Sequence, residues 1–389
     1  MDNNILDYDA EVNILIGENG SGKTTKLNSI ARVFKSNKAN NLIIINNVGC
    51  KNLQKFTKNH LSYSDLSRNF RNLVHKFIQN SFSAIDRGDL YNADFTLRQI
   101  RDILNYVGYD GSLYLAVDKK FIDHEFYKRV DEFDGSYTHF DYVHSYLNYL
   151  HTVELTSTDQ VLEIALDEDL YGNNENTIKF LFLIIKYWNA KFDIFFSKDD
   201  TLFKFDFLSS GEKKLITNIF FIATTIKNDK ENIFIIDEPE VSLHPKWQIE
   251  YIENISNLFY KHNLKIFIAT HSPLILADLF FDRTEVINLN YSIFHMNQNE
   301  IHKITNKDEL SIEAIYWNVF GVLTPQNSFL SRQLNKLLNE LHQKDITIQY
   351  FNSQAEKFKQ ASIDRSQIET IEMVMAHALE KEGYNHDID

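Results

Sequence analysis

The segment GENGSGKT, Gly17 to Thr24, constrains the fold of this chain more than any other stretch of its 389 residues. It matches the pattern G-x-x-x-x-G-K-[S/T], with the apolar run VNILI before it and a helical stretch after it. In such a loop the glycines let backbone N–H groups turn inward around phosphate groups, and the following helix adds its positive dipole end. The sequence therefore predicts an α/β protein with a phosphate loop between a strand and a helix.

The residue types in the loop predict how a nucleotide would be held. Lys23 would reach the β- and γ-phosphates, and the Thr24 hydroxyl would bind Mg²⁺, so the predicted cofactors are ATP and Mg²⁺. The predicted ATP-binding residues are Gly17, Asn19, Gly20, Ser21, Gly22, Lys23, Thr24 and Thr25.

Four aliphatic runs have the composition of buried strands: VNILI at 12–16, LIIIN at 42–46, IFIID at 233–237 and KIFIA at 265–269. Continuous apolar runs of this length are typical of strands covered on both faces, as in a parallel α/β sheet. Ligands in such sheets bind beyond the carboxyl ends of the strands, so we expect the catalytic residues where these runs end.

Two carboxylates end the third run, in the segment IFIIDEPEVSLHP. We expect Asp237 to hold Mg²⁺ through water and Glu238 to accept a proton from the water that attacks the γ-phosphate. A purely structural role for both acids would need basic partners to offset the cost of burying their charges.

The fourth run ends in THSP, which places His271 directly after a buried strand. Its imidazole could hydrogen-bond the γ-phosphate. A histidine at a strand end is more often structural, but its position about 33 residues after Glu238, with one helix between, favours the functional role. Lys23, Glu238 and His271 are the predicted catalytic residues.

The segment FLSSGEKKL, residues 207–215, predicts the start of a helix. Ser209 and Glu212 have the S-x-x-E spacing of a capping box, and LITNIFFIA continues with apolar residues at helical spacing. A plain capped helix is therefore one interpretation of this stretch.

The segments GENGSGKT, LSSGEKK, DEPEVSLHP and THSP occur in the order used by ATP-binding-cassette (ABC) ATPases, and the chain resembles that family over roughly residues 1–50 and 195–290. The resemblance implies an ABC-type head with a mixed, largely parallel sheet, used as a homodimer or a higher even oligomer. It also implies that the signature of one subunit contacts the γ-phosphate bound by the other. The signature residues are Ser209, Ser210, Gly211 and Glu212.

Two details separate the chain from the membrane-transporter branch of that family. About 185 residues lie between Lys23 and Ser209, and the loop after Glu238 reads PEVSLHP. The chain is similar to the OLD, RecF and SMC-like branch, and within it to the PtuA-type ATPase subunits of Septu and retron anti-phage systems. It departs from the ABC pattern at the glutamine loop, where Gln54 is the candidate metal ligand, and at the adenine-stacking aromatic, for which Tyr8 is the candidate.

The motifs predict a split head, residues 1–50 and 191–295, around a mainly helical insertion lobe at 51–190. Residues 22–101 hold fourteen Lys and Arg against four Asp and Glu, a balance of +10 in a chain of net charge −14. We interpret this basic region as a solvated helical surface, with a DNA- or partner-binding face as the alternative, testable at Arg68, Arg71 and Lys76.

Aromatic residues in the same lobe allow two interpretations. Phe56, Tyr63, Phe70 and Phe77 follow at seven-residue spacing, which is more typical of a helix core face than of a base-stacking platform. After the lobe, FDIFFSKDDTLFKFDF predicts a hairpin with a Lys-Asp-Asp turn.

Residues 296–389 form a predicted helical tail for oligomerisation or partner binding. The segment 328–342 would place one apolar side on its helix, favouring packing: Phe329, Leu330, Leu334, Leu337, Leu338 and Leu341. ABC-linked anticodon nucleases use Arg, Glu and His in their tails, and Arg365, Glu369 and His377 could be interpreted that way. A solvated amphipathic helix is the favoured interpretation.

Composition restricts the setting. The single cysteine, Cys50, suits a reducing compartment, and the longest apolar run is too short to span a bilayer. We therefore expect a cytoplasmic ATPase, without a membrane partner, that controls a separate nuclease effector in anti-phage defence. The alternatives are a RecF-like DNA-binding repair or recombination ATPase and an ABC-linked anticodon nuclease.

Overall fold

The computed structural model describes residues 10–47, 51–62, 66–88, 90–117, 160–166, 168, 173–188, 190–280, 290–298, 300–305, 311–324, 328–362 and 364–381. Two compact units divide the chain. The first comprises Met1–Lys26, Gln248–Glu253 and Phe267–Asp389, and the second comprises Leu27–Trp247 and Asn254–Ile266.

The strands alternate with helices along most of the chain. The described strands are β1 (Val12–Ile16), β2 (Asn40–Asn46), β3 (His60–Ser62), β4 (Ser112–Val117), β5 (Gln160–Ala165), β6 (Phe192–Lys198), β7 (Thr201–Lys204), β8 (Glu231–Asp237), β9 (Leu264–Thr270), β10 (Tyr291–Asn297) and β11 (Glu300–Ile304). The described α-helices are α1 (Lys23–Lys35), α2 (Lys51–Gln54), α3 (Leu66–Arg87), α4 (Leu90–Val107), α5 (Asn173–Trp188), α6 (Ser210–Ala223), α7 (Pro245–Ile249), α8 (Tyr251–Leu258), α9 (Ile312–Phe320), α10 (Ser328–His342), α11 (Ile348–Ala361) and α12 (Arg365–Lys381).

In the first unit the strands run in the order β11-β10-β1-β9. Strands β1 and β10 are parallel, with Val12 opposite Tyr291, while β10 and β11 form an antiparallel hairpin. Every residue of β1 is buried, as the predicted run at 12–16 requires. The sheet is therefore mixed, with parallel pairing at the strand that delivers the phosphate loop.

In the second unit β8, β2 and β3 are consecutive parallel neighbours, with Leu42 opposite Ile233. Strands β8 and β2 are buried along nearly their whole length, which explains their continuous apolar sequences. The predictions for all four aliphatic runs are confirmed, because each run lies within one of β1, β2, β8 and β9.

A second, four-stranded antiparallel sheet in the order β5-β4-β6-β7 also belongs to the second unit. The predicted hairpin is confirmed as β6 and β7, with positive φ at Asp199 and Asp200 in the turn. Its second strand is shorter than predicted, since Phe205–Phe207 form a 3₁₀ turn. Strands β4 and β5 lie within the range expected to be mainly helical and were not anticipated.

The aromatic stripe of α3 lies in the core of the second unit. Phe70 and Phe77 are fully buried, and the Phe70 ring stacks on Phe205 at a centroid distance of 4.1 Å. Phe56 is half-buried, and Tyr63 lies outside the described residues. The core-face interpretation is confirmed for Phe70 and Phe77.

Helices α9 to α12 form a small core of their own in the first unit. Five of the six predicted apolar residues of α10 are buried there, and Leu338 packs against them partly buried. The packing interpretation of this segment is therefore confirmed. No helix among the described residues is both long and apolar enough to cross a membrane.

Candidate nucleotide-binding site

The phosphate loop of the first unit is folded around its own lysine. Lys23 Nζ donates hydrogen bonds to the carbonyl oxygens of Gly17 and Glu18, both at 2.8 Å, and Lys23 is buried. Gly20 and Gly22 have φ values of 82° and 96°, a region that favours glycine. Helix α1 begins at Lys23, so its first N–H groups face the loop.

The start of this loop has no room for a side chain. A Cβ atom at Gly17 would lie 2.4 Å from the backbone oxygen of Met296 on β10 and 2.9 Å from Ser21 Oγ. Ser21 is buried, and its hydroxyl finds no hydrogen-bond partner among the described residues. A buried hydroxyl of this kind fits a bound phosphate oxygen, which would accept its proton.

Directly after β9, a short polar turn fixes the position of His271 in the first unit. The Ser272 N–H donates to Thr270 Oγ1 at 3.0 Å, and Ser272 Oγ donates to Gln248 Oε1 at 2.7 Å. His271 lies half-buried between these anchored residues. Its placement at the strand exit agrees with the prediction, while its role remains a proposal.

The acidic pair ends β8 in the second unit. Asp237 is buried as the last residue of the strand, and Glu238 follows with a left-handed φ of 51°. A non-glycine residue in this region carries backbone strain, which the surrounding structure must hold. Asn47 supplies that support, because its Nδ2 donates to the carbonyl oxygens of Asp237 and Glu238, both at 2.9 Å.

Asn47 is a site residue that the sequence analysis missed. It directly follows β2, and its Oδ1 is buried without a hydrogen-bond partner among the described residues. Amide oxygens are ligands for Mg²⁺ and for the water that surrounds it, so Asn47 fits the expected metal chemistry. Gln54, the predicted metal ligand, lies half-buried at the end of α2. The signal for Asn47 was available as a polar residue at a strand exit.

The signature segment, residues 208–214, begins helix α6 as predicted. Ser209 is the N-cap, the Glu212 N–H donates to Ser209 Oγ at 3.3 Å, and Glu212 Oε2 accepts from the Ser209 N–H at 2.8 Å. Tyr109 OH also donates to Glu212 Oε1 at 3.0 Å. The capping box is thereby confirmed.

The Glu212 carboxylate is committed to this cap. Burial works against its ionisation, but the hydrogen bonds from Ser209 and Tyr109 outweigh burial and hold the pKa of Glu212 below its ordinary value. Ser209 and Ser210 remain exposed at the helix start, and Gly211 is buried. The segment can therefore present hydroxyl and N–H donors to an anion while Glu212 holds the helix start in place.

The signature helix packs against the loop that follows the acidic pair, residues 238–244, which we call the acidic loop. A Cβ at Gly211 would lie 2.7 Å from the backbone oxygen of Ser242 and 3.0 Å from the Trp247 ring. Buried Lys214 donates through Nζ to the carbonyl oxygen of Val241. The signature segment and the acidic loop are thus joined by direct contacts within the second unit.

We expect Gly211→Ala to destabilise the protein by about 1 to 3 kcal/mol, because the added methyl group meets backbone that cannot easily move. Gly111→Ala is the matched control, since its Cβ would approach the flexible side chain of Arg101. Thermal or urea unfolding checks the difference. Equal stability of the two variants would contradict the close packing at Gly211.

Lys214 should give the protein a pH-dependent stability. Burial lowers its pKa from 10.5 to about 8, although Glu240 and Glu238 raise it. Between these values the unfolded chain binds a proton that the folded chain has released, so this group makes stability rise with pH, by at most about 1.4 kcal/mol per pH unit. We expect Lys214→Met to remove that rise in urea unfolding between pH 8 and 10.5. The same pH slope in both proteins would contradict it.

The residues of the nuclease alternative do not form a cluster. Arg365 Nε lies 3.2 Å from Glu369 Oε1 in an exposed pair one turn apart on α12, and His377 is exposed about two turns further along. The buried residues of the helix are Gln367, Ile371 and Ala378, so the three residues of the nuclease alternative are on its exposed side. This is the solvated amphipathic helix that the sequence favours.

Comparison with known proteins identifies the family. The family described as "AAA domain, putative AbiEii toxin, Type IV TA system" matches residues 58–277, a range that contains the signature segment, the acidic pair and His271. The chain is 26% identical over 289 residues to the Septu protein PtuA of Bacillus thuringiensis, covering 69% of this chain and 68% of that protein.

Two shorter matches involve the same kinds of protein. The chain is 31% identical over 124 residues to the Septu protein PtuA of Bacillus mycoides, covering 30% of this chain and 17% of that protein. It is 36% identical over 90 residues to the retron Vc95 probable ATPase of Vibrio cholerae, covering 21% of this chain and 17% of that protein.

Solved structures show only distant likeness. The Smc head domain of Pyrococcus furiosus aligns with a TM-score of 0.27 and 10% identity, covering 68% of this chain and 62% of the other. The recombination mediator RecF aligns with a TM-score of 0.27 and 13% identity, covering 77% and 94%. TM-scores this low do not bear on which family the chain belongs to.

The family match spans more than half of the chain and includes three of its four motifs. The chain therefore belongs to this AAA-domain family and is an ATPase.

Proposed function

We propose that two copies of this chain close around ATP and Mg²⁺, and that this closure controls a separate nuclease subunit in cytoplasmic anti-phage defence. The similarity to Septu and retron proteins supports the defence role. The observation that carries the paired arrangement is the signature segment, which presents two serines to solvent at a capped helix start.

An exposed phenylalanine next to these serines supports a partner surface. Phe207 is 84% exposed, although it directly precedes the signature segment. Two contacts hold its turn in place: the Phe205 ring stacks on Phe70, and Lys213 Nζ donates to the Asp206 carbonyl oxygen at 2.6 Å. The anchored turn keeps the exposed Phe207 ring available to a partner beside the two serines. A second copy of the chain would cover Phe207 as it brings its nucleotide to Ser209.

Each catalytic residue has a task that its position allows. Lys23 would leave its loop carbonyls to contact the β- and γ-phosphates, Glu238 would accept the proton of the attacking water, and His271 would hydrogen-bond the γ-phosphate. Thr24, Asp237 through water, and Asn47 would hold Mg²⁺, with Gln54 as the weaker candidate. When bound, Mg²⁺ would offset negative charge on the phosphates.

Closure of the two copies would change the position of Glu238 through contacts inside one subunit. Gly211 and Lys214 touch Ser242 and Val241 of the acidic loop. A signature helix that shifts when it binds the partner's γ-phosphate would therefore displace the loop that carries Glu238. This connection lets nucleotide occupancy at one site set the conformation of the other.

Co-expression with the neighbouring gene product tests the proposed effector. We expect a stable complex whose nuclease activity changes when ATP is added or consumed. A chain that purifies alone and binds duplex DNA in a salt-sensitive way would instead favour the RecF-like alternative. RNA cleavage by the chain alone would favour the anticodon-nuclease alternative.

A further inference from the structure

We propose that the second unit carries a separate binding site for a nucleoside phosphate, in a basic cavity between helix α3 and strands β4 and β6. The cavity has a volume of about 440 Å³, within the range of small-molecule sites. The proposal does not depend on the paired heads, because the described residues that line the cavity all belong to one unit.

One face of α3 forms the polar wall of this cavity. Arg68, Arg71, Asn72 and His75 all line it and occupy the i, i+3, i+4 and i+7 positions of the helix. These positions lie on the same helix face, so all four side chains present nitrogen donors to the same space. Two guanidinium groups one turn apart are suited to bidentate recognition of phosphate oxygens.

The strand side of the cavity adds a further positive charge and apolar surface. Lys191 lines the cavity beside Ala190 and Phe192, at the start of β6. Among the described residues, Asp193 is the one carboxylate in the lining, and it is already paired with Lys204 Nζ at 2.6 Å. Together with Arg68 and Arg71, the described lining holds three cationic side chains against this one carboxylate, and that excess of positive charge favours an anion.

Two rings lie next to the basic wall. His75 lies against Phe192 with ring centroids 4.9 Å apart and the ring planes tilted by 38°. Burial lowers the pKa of His75, so the imidazole is held in its neutral form, which suits packing against a flat base more than binding an anion. A ligand with a phosphate at the two arginines and a flat base near His75 is a nucleoside phosphate.

The structure also separates three basic residues that the sequence grouped together. Arg68 and Arg71 line the cavity, whereas Lys76 is directed elsewhere and donates to Thr225 Oγ1 at 3.2 Å. Arg71 also pairs with Asp206 at 3.6 Å, next to the signature segment. Substitutions at Arg68 and Lys191 therefore test the cavity without disturbing the signature.

The experiment uses the full chain with Lys23→Ala, which removes phosphate-loop binding. Adenosine monophosphate and a 5′-phosphorylated ten-nucleotide thymidine strand are titrated by calorimetry. We expect Arg68→Glu and Lys191→Glu to weaken binding by about tenfold or more each, because each removes a charge-assisted contact. Arg87→Glu, on the same helix but outside the cavity, is the matched control, and thermal unfolding verifies that each variant folds.

Binding of the monophosphate, sensitive to both cavity variants and insensitive to the control, supports a free nucleotide as ligand. If only the thymidine strand binds, and both cavity variants weaken that binding, the ligand is a nucleoside phosphate at the end of a nucleic-acid strand. If neither probe binds, or if the folded cavity variants bind as tightly as the parent, the proposal is overturned.

Discussion

Replacing Glu238 with Gln should lower ATP turnover by about 100- to 10,000-fold while ATP binding is retained. Glutamine keeps the shape of the side chain and its left-handed backbone position, but it cannot accept a proton from the attacking water. Asn47 bonds to the backbone carbonyls of the acidic pair, so those hydrogen bonds survive the change. Bound ATP should therefore persist, and the variant should accumulate as ATP-bound dimers in light-scattering measurements.

Glu356→Gln is the matched control for this substitution. Glu356 lies on helix α11 in the tail, away from every predicted catalytic position in the sequence. This control should hydrolyse ATP at the parent rate and form the same fraction of dimers as the parent. Unchanged turnover in Glu238→Gln would remove Glu238 as the base.

Replacing Ser209 with Asp should reduce ATP turnover by about 100-fold or more while the helix start stays intact. Aspartate is as good an N-cap as serine, so α6 keeps its cap. A carboxylate in this position would face the γ-phosphate of the partner and repel it. Nucleotide binding at Lys23 should be largely unaffected, because the change removes only closure.

Ser311→Asp provides the same change at a different cap. Ser311 is the N-cap of α9, where its hydroxyl accepts from the Ala314 N–H at 3.1 Å. That variant should retain turnover and stability. Ser209→Asp with parent-like turnover would contradict the role in trans and leave the plain capped helix as the interpretation of the signature segment.

Local patterns were sufficient to predict much of this fold. Buried parallel strands have continuous aliphatic sequences, which is why the runs at 42–46 and 233–237 located β2 and β8. The capping box at Ser209 and Glu212 was predictable because both hydrogen bonds span only three residues. Where the interaction is local, the sequence pattern and the structure agree.

Features that depend on distant partners were not predictable in this way. Strand β4 pairs with β6 across a separation of about 80 residues, so no pattern within its six residues identifies its partner. The contact of Gly211 with Ser242 and the bonds from Asn47 to the acidic pair likewise join segments far apart in sequence. The sequence alone does not show that Gly211 lies against the backbone of Ser242, because the two residues meet only in the folded chain.

Subunit complementation tests the central claim, that a signature acts on the nucleotide of another copy. Lys23→Ala and Ser209→Asp should each be inactive alone, whereas a mixture contains pairs with one intact composite site. Random pairing predicts about a quarter of the parent ATPase activity, because half of the pairs are mixed and half of their sites are intact. A mixture as inactive as its separate components would contradict the account.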